Sequence, residues 1–370
     1  MRRPNTRVQK SGHVLRLAVS APSTGGWRLR YAVDMPWSVQ PIADNCGSLL
    51  DFGPYVPAIN RAGVVAFTAT LRSGGTGLFA VRGQSLSMVA RSGDAFGEIC
   101  SHPDINDRGD LCFYAALLKG GIGAFRLRDG ELTQVSSPAD HALVGPLGPT
   151  INEAGVVALR AESRSGRRGV WLGEPPRLIA DDSRQIAALQ GLPVVTDSGV
   201  VVFRADLRGG GQAILAGRGG SLTTLVDTDG ALASLGNFPS VNAGETVAFA
   251  ATLRAGGGGV FVCRDGEITK LNTGEFESFR GALIDDWGRV VFFATPPGGT
   301  VGVYIGGERV LGLGDPLFGS TIVDFALNPV SMSGEGQIVV RLSLEDGFRC
   351  QALIVDIQAG KAGTVPSMGS

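Results

Sequence analysis

The hydrophobic and polar positions of this chain follow a pattern that returns about every 46 residues. The line PAINRAGVVAFTATLRSGGTGLF at 57–79 comes back as PDINDRGDLCFYAALLKGGIGAF at 103–125 and as PSVNAGETVAFAATLRAGGGGVF at 239–261. Each copy places an N-x-x-G-like turn ahead of an apolar run, and consecutive turns start 43 to 48 residues apart. The first residues of these turns, here called the anchors, are Asn60, Asn106, Asn152, Thr196, Asn242, Asp285 and Ser333. A fixed period of this length is typical of repeat architectures.

Each repeat predicts four short strands, A to D. Strand A is the PAIN segment, and the N-x-x-G turn joins it to strand B, because an Asn side chain can cap the turn and Gly tolerates its left-handed end. Strand B opens as a continuous apolar run, which is typical of a strand covered on both faces. A Gly-rich loop leads to strand C, and turns such as RDGE carry the hairpin signal before strand D. The proline that recurs three residues before the anchor predicts an edge position for strand A, which we place at the inner edge.

A four-stranded antiparallel unit of this period predicts an all-β fold, a β-propeller whose neighbouring blades cover each other's faces. Length favours eight blades, since 370 residues divided by 46 is about 8.0. Residues 1–56 would then hold a degenerate first blade. The alternative is seven blades, in which residues 38–44 supply the strand D that the last repeat lacks and so close the ring. In both cases we expect one domain over 1–370, with clear repeats at 57–357 and a tail at 359–370.

Four stretches carry a resemblance to known repeat families: NRAGVVAF, NEAGVVAL, TDSGVVVF and NAGETVAF. They resemble the bacterial tandem-repeat proteins with the N-x-x-G-x-x-A-F motif and are similar to the PDG-x-x-I-A-F blades of TolB-like and WD40-like propellers. The resemblance covers nearly all of residues 57–357 and implies a propeller. It implies no catalytic residues, because these families share no common active site. By analogy it implies protein binding, as in many TolB-like propellers, and export, as in many tandem-repeat relatives.

Composition narrows the possible function classes. A formal net charge of −1 over 370 residues argues against a nucleic-acid-binding protein. Charged residues make up only 18% of the chain, so disorder is not expected. The five cysteines show no C-x-x-C spacing, so we predict no metal site and no cofactor. We expect Cys112 and Cys263 to be buried thiols, because both stand in apolar strand patterns.

The sequence also bears on location and assembly. No apolar run reaches the ~18 residues that cross a bilayer, so we expect no membrane span. The short VLRLAV run near the N-terminus is broken by Arg16, so no signal peptide is predicted. The default location is therefore cytoplasmic, whereas the resemblance points to export. We expect a monomer.

Two sets of charged residues recur in loops that share one face of the predicted ring. In an up-and-down blade the B–C and D–A loops lie on the same face, so bases that open the B–C loops neighbour acids of the D–A loops. The candidate binding residues there are Asp94, Asp140, Asp229, Glu275, Asp315, Arg72, Lys119, Arg208 and Arg254. Two interpretations stay open: these residues pair with each other or cap backbone groups, or they form a charged mouth that binds a polar ligand or a partner.

No asymmetric catalytic cluster interrupts the repeat. The sequence therefore favours a non-catalytic binding or scaffold propeller that recognises a protein or a carbohydrate through the B–C and D–A loop face. The alternative is a propeller hydrolase or lyase that uses Asp94 and Asp140 with His102 or His141. Without such a role, we expect both histidines to be solvated surface residues. A third hypothesis is a purely structural module of the cell envelope.

Two tryptophans and one acidic turn complete the candidate residues. Trp171 falls on strand C, where we expect core packing, and Trp287 falls in an A–B turn, where an exposed ring could contact a partner. The DTDG stretch at 227–230 begins like a calcium loop but lacks the spaced carboxylates that should follow, so we interpret it as a plain turn.

Overall fold

The computed structural model describes residues 37–93, 95–271 and 273–356. Over these residues the chain forms seven antiparallel sheets, and the inner strands of all seven line one central cavity. The predicted β-propeller is therefore confirmed, with seven blades. No helix within the described ranges is long and apolar enough to cross a membrane.

The strands of the blades have the following bounds, with strand A in two segments in blades 1, 2, 3 and 5. Blade 1 comprises Leu49–Asp51 and Ala58–Ile59 (A), Val65–Leu71 (B), Thr76–Arg82 (C) and Ser85–Arg91 (D). Blade 2 comprises Phe96–Ile99 and Asp104–Ile105, Leu111–Leu117, Ile122–Arg128 and Glu131–Ser136. Blade 3 comprises His141–Val144 and Thr150–Ile151, Val157–Ser163, Arg168–Leu172 and Arg177–Asp181. Blade 4 comprises Ile186–Val195, Val201–Leu207, Gln212–Arg218 and Ser221–Asp227.

The remaining blades follow the same A-to-D order. Blade 5 comprises Leu232–Leu235 and Ser240–Val241, Val247–Leu253, Gly258–Arg264 and Glu267–Lys270. Blade 6 comprises Ser278–Ile284, Val290–Thr295, Gly302–Ile305 and Glu308–Gly312. Blade 7 comprises Ser320–Ala326, Ile338–Leu344, Arg349–Asp356 and, as its strand D, Trp37–Asp44; a short strand, Pro316–Leu317, precedes its strand A, and a 3-10 turn, Pro329–Ser331, follows it.

The expectation of eight blades is wrong, and the seven-blade alternative fits. Trp37–Asp44 pairs antiparallel with Arg349–Asp356, from Trp37 opposite Asp356 to Asp44 opposite Cys350. The stretch predicted to close the ring, 38–44, thus completes the last blade instead of ending a blade of its own. The physical reason is edge protection, because without this strand Arg349–Asp356 would be left as an unpaired edge. The predicted first-blade strands before residue 37 and the tail at 359–370 lie outside the described residues.

Strand A is an edge strand, as the repeated proline predicted. In blades 1 to 6 it stands at one end of the sheet order and pairs only with its own strand B, whereas in blade 7 it also pairs with the short strand Pro316–Leu317. Where strand A is split, the proline falls between the two segments, as Pro57 does between Asp51 and Ala58. In blade 4, where strand A is continuous, Pro193 lies at a break in the register instead. The ladder therefore loses its regular pairing where the proline has no N–H to donate.

Strands B and C carry the core of each blade. Aromatic side chains opposite each other on these strands stack at centroid distances of 5.5 to 5.7 Å in four blades: Phe67 with Phe79, Phe113 with Phe125, Phe249 with Phe261, and Phe292 with Tyr304. Such pairs contribute about 0.5–1.5 kcal/mol beyond the burial of their area. They explain why the phenylalanine of the A-F motif returns together with the phenylalanine of strand C. Cys112 and Cys263 are buried in these layers, as predicted.

Candidate functional site

The central cavity is built from three consecutive positions of every repeat, so that the blades contribute stacked rings. We call this cavity, of about 170 Å³, the central well. It occupies the part of the channel next to the A–B turns, and among the described residues none from the first segment of a split strand A lines it. The residue before the anchor forms an apolar ring, the anchor a polar ring, and the residue after the anchor a charged rim.

The apolar ring is buried except at Val241, which is half-buried. Its members are aliphatic or thioether side chains in all seven blades: Ile59, Ile105, Ile151, Val195, Val241, Ile284 and Met332. Pro329 and Val330 of the 3-10 turn add to this lining. This ring gives the well an apolar part within a lining that is otherwise mostly polar. An aliphatic group of a ligand that contacts the ring would be removed from water.

The polar ring ties the blades together. In blade 3 the Asn152 Oδ1 accepts the N–H of Val156 at 2.9 Å, which caps its own turn as predicted, while its Nδ2 donates to the Thr196 carbonyl of blade 4 at 3.0 Å. Asn60, Asn106 and Asn242 repeat this double contact. Only an amide both accepts and donates in this way, which explains why Asn is the commonest anchor.

The charged rim is predominantly acidic. Four carboxylates and one guanidinium face the mouth of the well, so its net charge is −3 when all are ionised: Asp107, Glu153, Asp197, Asp286 and Arg61. Each acid accepts a backbone N–H from the preceding blade; Glu153 accepts from Asp107 at 2.8 Å and Asp197 accepts from Glu153 at 2.9 Å. One oxygen of each carboxylate is thereby held in place.

Positive charge at the rim is concentrated on one side. The Arg61 Nε lies 3.0 Å from Asp107 Oδ2, and the same guanidinium contacts Asp286 and, at 3.6 Å, Glu335. On the other side, Glu153 and Asp197 form no ion pair with any described residue. Burial raises the pKa of Glu153, and the negative charges of Asp107 and Asp197 raise it further, whereas the Asp107 N–H and the positive charge of Arg108 lower it. Because the net shift is upward, Arg108 offsets the negative charge on this side only in part.

A further carboxylate stands in the wall of the well. Asp104 is buried, and its two oxygens accept the N–H groups of Ile105 at 2.8 Å and of Ile151 in the next blade at 2.9 Å. Burial raises the pKa of Asp104 to about 7, and the charge of Glu153 adds to the rise. The carboxyl group therefore takes up or releases a proton near neutral pH.

An exposed aromatic ring stands beside the rim. Trp287, in the A–B turn of blade 6, is 73% exposed, as the sequence suggested, and its indole N–H lies 3.4 Å from Glu335. The same position in the other six turns holds small, polar or charged residues: Ala62, Arg108, Ala154, Ser198, Gly244 and Glu335. Trp287 thus breaks the symmetry of the ring at the mouth of the well.

Comparison with solved structures supports the fold. The chain is similar to an oligogalacturonate lyase in complex with manganese, with 12% sequence identity, coverage of 87% of this chain and 98% of that chain, and a TM-score of 0.57. It is also similar to a puromycin-hydrolysing peptidase from Mycobacterium tuberculosis, with 14% identity, a TM-score of 0.50, and coverage of 83% of this chain but only 51% of the peptidase. The putative TolB from Agrobacterium tumefaciens aligns with a TM-score of 0.42 at 17% identity, over 62% of this chain and 85% of that one. At identities this low, the first two likenesses show a shared propeller fold and say nothing about activity.

Sequence comparison adds no family. No protein-family model matches the chain, and no curated protein matches it. Within the described ranges, no group of three or more His, Cys, Asp or Glu side chains is placed to hold a metal ion. The chemistry of the site therefore depends on the side chains that line the well.

Three of the four bases predicted at the loop face donate hydrogen bonds to backbone carbonyls. The Arg72 Nε donates to the Gly47 carbonyl at 3.0 Å, and the Arg254 Nε donates to that of Gly230 at 3.0 Å. Arg208 donates to the Asp182 carbonyl, and Lys119 is exposed. These contacts confirm that the B–C and D–A loops share a face, and they match the capping interpretation for the three arginines.

The predicted loop-face acids that the structure describes form no ion pair with those bases. Asp140 accepts the Ser137 hydroxyl at 2.7 Å and the Ser137 N–H at 2.8 Å, contacts that lower its pKa. Asp315 pairs with Arg309 at 3.0 Å, while Asp229 and Glu275 are exposed. Asp94 lies outside the described residues. Ligand binding by this set stays a prediction.

The expectation of solvated histidines is wrong. His102 is buried, and its Nδ1 accepts the N–H of Val56 at 2.7 Å; burial lowers its pKa to about 4. His141 is buried too, with its Nδ1 2.7 Å from the Ser136 hydroxyl and its ring 4.4 Å from that of Trp171. His102 lies between the two segments of strand A in blade 2, and His141 opens strand A of blade 3, so both rings fall within the packed blades. Trp171 itself is half-buried, which agrees only partly with the expected core position.

Sequence reasoning missed the rim and the well. The acids at 107, 153, 197 and 286 all follow an anchor directly, so the spacing of the repeat contained the signal. The direction of the residue after the anchor could not be predicted from one repeat, because it depends on how neighbouring blades face each other.

Proposed function

We propose that the protein is a non-catalytic binding propeller, and that its partner is a protein that docks a positively charged segment over the mouth of the central well. This keeps the function class favoured by the sequence but moves the binding surface to the A–B turns. Binding through the B–C and D–A loop face remains the alternative location.

The observation that carries this proposal is the exposed Trp287 beside an acidic rim. A large apolar ring in water at only one of seven equivalent turns has no role in the packing of its own blade. Tryptophan is enriched among the residues that dominate protein interfaces, and its face attracts Lys and Arg cations. Trp287 is therefore suited to anchor a partner.

Electrostatics selects the sign of the partner. A net charge of −3 around the mouth of the well creates a negative potential there and attracts cations. An acidic oligosaccharide would be repelled by the same field. A basic protein segment would be attracted by the acidic rim, and one of its Lys or Arg side chains could lie against the face of Trp287.

The hydrolase or lyase alternative has less support. It needs His102 or His141 as an acid or base beside Asp94 or Asp140, but both imidazoles are buried and both already hold a hydrogen bond. The Asp140 carboxylate already accepts two hydrogen bonds from Ser137, so it has little capacity left for proton transfer.

The proposal is tested by binding to arrayed basic, neutral and acidic peptides, followed by affinity measurements on the best binder. We expect basic peptides to bind, and the affinity to fall as ionic strength rises. Trp287→Ala should weaken binding by about 10- to 100-fold, the effect of losing an aromatic anchor. Leu118→Ala is the matched control, since Leu118 is 64% exposed in a B–C loop on the opposite face.

The outcome also separates the two faces. Loss of binding in Leu118→Ala but not in Trp287→Ala would move the site to the loop face predicted from the sequence. Selective binding of acidic peptides or of neutral glycans that Trp287→Ala leaves unchanged would overturn the proposal.

A further inference from the structure

We propose that the central well is a receptor for a primary ammonium group on an unbranched aliphatic stem, the chemistry of a lysine side chain. The inference rests on the proposed function, because the lysine would belong to the basic segment of the partner. It names which side chain of that segment enters the well and which residues receive it.

The apolar ring suits the stem. Ile105, Ile151 and Val195 line the well from blades 2, 3 and 4, the blades that also carry Asp107, Glu153 and Asp197. A cavity of about 170 Å³ accommodates a chain of a few methylene groups but no large ring system. Long basic side chains commonly bury their methylene groups against apolar surface while the charged end finds polar partners.

The carboxylates of the same three blades suit the charge. Glu153 and Asp197 form no ion pair with any described residue, although the charge of Arg108 acts on Glu153, and Asp104 stands in the wall close enough to Glu153 for their charges to interact. Burial and neighbouring negative charges raise the pKa of Glu153. A bound cation would relieve this repulsion, whereas a neutral group would leave it in place.

The geometry favours ammonium over guanidinium. One oxygen of Glu153 and one of Asp197 already accept backbone N–H groups at 2.8 and 2.9 Å. A guanidinium binds a carboxylate best through two parallel hydrogen bonds to both of its oxygens. An ammonium is a compact charge with three donors, so it can take one free oxygen from each of several carboxylates.

The test is calorimetric titration of the intact protein with n-pentylammonium, n-pentylguanidinium and 1-pentanol at low salt. We expect pentylammonium to bind more tightly than the guanidinium and much more tightly than the alcohol. In the double variant Glu153→Gln/Asp197→Asn, each new amide still has an oxygen that can accept the same backbone N–H group. The double variant should weaken pentylammonium binding by about 10- to 100-fold, as expected for lost charge-assisted hydrogen bonds.

A matched control changes the same charge elsewhere. Glu345→Gln/Asp346→Asn removes two exposed carboxylates from the B–C loop of blade 7 on the opposite face, and we expect it to leave pentylammonium binding unchanged. Equal binding of pentanol and pentylammonium, or equal losses in both double variants, would overturn the inference. Thermal unfolding of each variant shows whether the fold is retained.

The result is distinguishable from the test of the proposed function. Basic peptides that depend on Trp287 but bind the Glu153→Gln/Asp197→Asn variant as well as the unaltered protein would refute lysine insertion and leave the proposed function standing. Pentylammonium binding that depends on Glu153 and Asp197, with no peptide bound by the protein, would support the amine receptor and refute the docking of a basic protein segment.

Discussion

The residue two positions before the anchor joins neighbouring blades through its side chain. Thr150 accepts the N–H of Val195 at 3.2 Å, Ser240 accepts that of Ile284 at 3.4 Å, and Asp104 accepts that of Ile151 at 2.9 Å. A hydroxyl does this without charge, but a carboxylate must either take up a proton or remain as a buried ion. The acid at 104 thus makes blade 2 sensitive to pH in a way that its counterparts are not.

Stability should therefore depend on pH through Asp104. Because its pKa is raised to about 7 in the folded protein, folding favours the protonated form, so its stabilising contribution is present at low pH and is lost as pH rises through about 7. Asp104→Thr copies Thr150 and should keep the contact with Ile151. Relative to the unaltered protein, we expect this variant to gain about 2 kcal/mol of unfolding free energy between pH 5 and pH 8. Urea unfolding at both pH values measures this gain.

Other groups near Asp104 set the background for that measurement. The pKa of Glu153 is raised as well. The Cys112 thiol faces Asp104 across the strand pair, and its pKa is raised well above the usual range. The difference between Asp104→Thr and the unaltered protein isolates Asp104, because both proteins share these neighbours. An unchanged difference between pH 5 and pH 8 would contradict the assignment.

At the scale of the element, the A–B turn does more than reverse the chain. The sequence predicted the cap that Asn provides within its turn, and the structure confirms it. The second contact, to the carbonyl of the next anchor, crosses between sheets that are 44 residues apart at Asn152. The turn is therefore also the joint between blades.

Asn152→Asp tests this second contact. The carboxylate still caps the turn but cannot donate to the Thr196 carbonyl, and it leaves that buried acceptor facing a negative charge. We expect a loss of about 1–3 kcal/mol in unfolding free energy. Asn152→Thr, which copies the anchor of blade 4, adds no charge and should cost less. Denaturant unfolding of both variants measures the two losses of unfolding free energy. Equal stability of Asn152→Asp and the unaltered protein would refute the role of the inter-blade hydrogen bond.

At the scale of the whole molecule, closure of the ring depends on one strand from the other end of the described chain. Trp37–Asp44 completes blade 7, and Ala43 packs in one apolar cluster with Phe52 of blade 1 and Val339 of blade 7. The strand thereby seals the seam between the first and last blades.

A charge placed in this seam should open it. Ala43 is buried, so Ala43→Asp would put an unpaired carboxylate into the cluster, and we expect a loss of more than about 2 kcal/mol in unfolding free energy. Gln40→Asp is the control, because Gln40 is exposed on the same strand and its change should stay within about 0.5 kcal/mol. Thermal unfolding and small-angle scattering report stability and ring opening. Similar behaviour of the two variants would show that the seam does not hold the ring closed.

The sequence by itself determined the blade: its period, its four strands, the turn that Asn60 caps and the inner edge that Pro57 marks. These features are local, since strand alternation, turn residues and a missing N–H act within one repeat. Only the tertiary structure decided the number of blades, because length could not show that Trp37–Asp44 would pair with a strand some 300 residues away. It also decided where the charges meet. Asp107, Glu153 and Asp197 are dispersed along the chain and become one rim only when successive blades turn the same position toward a common axis.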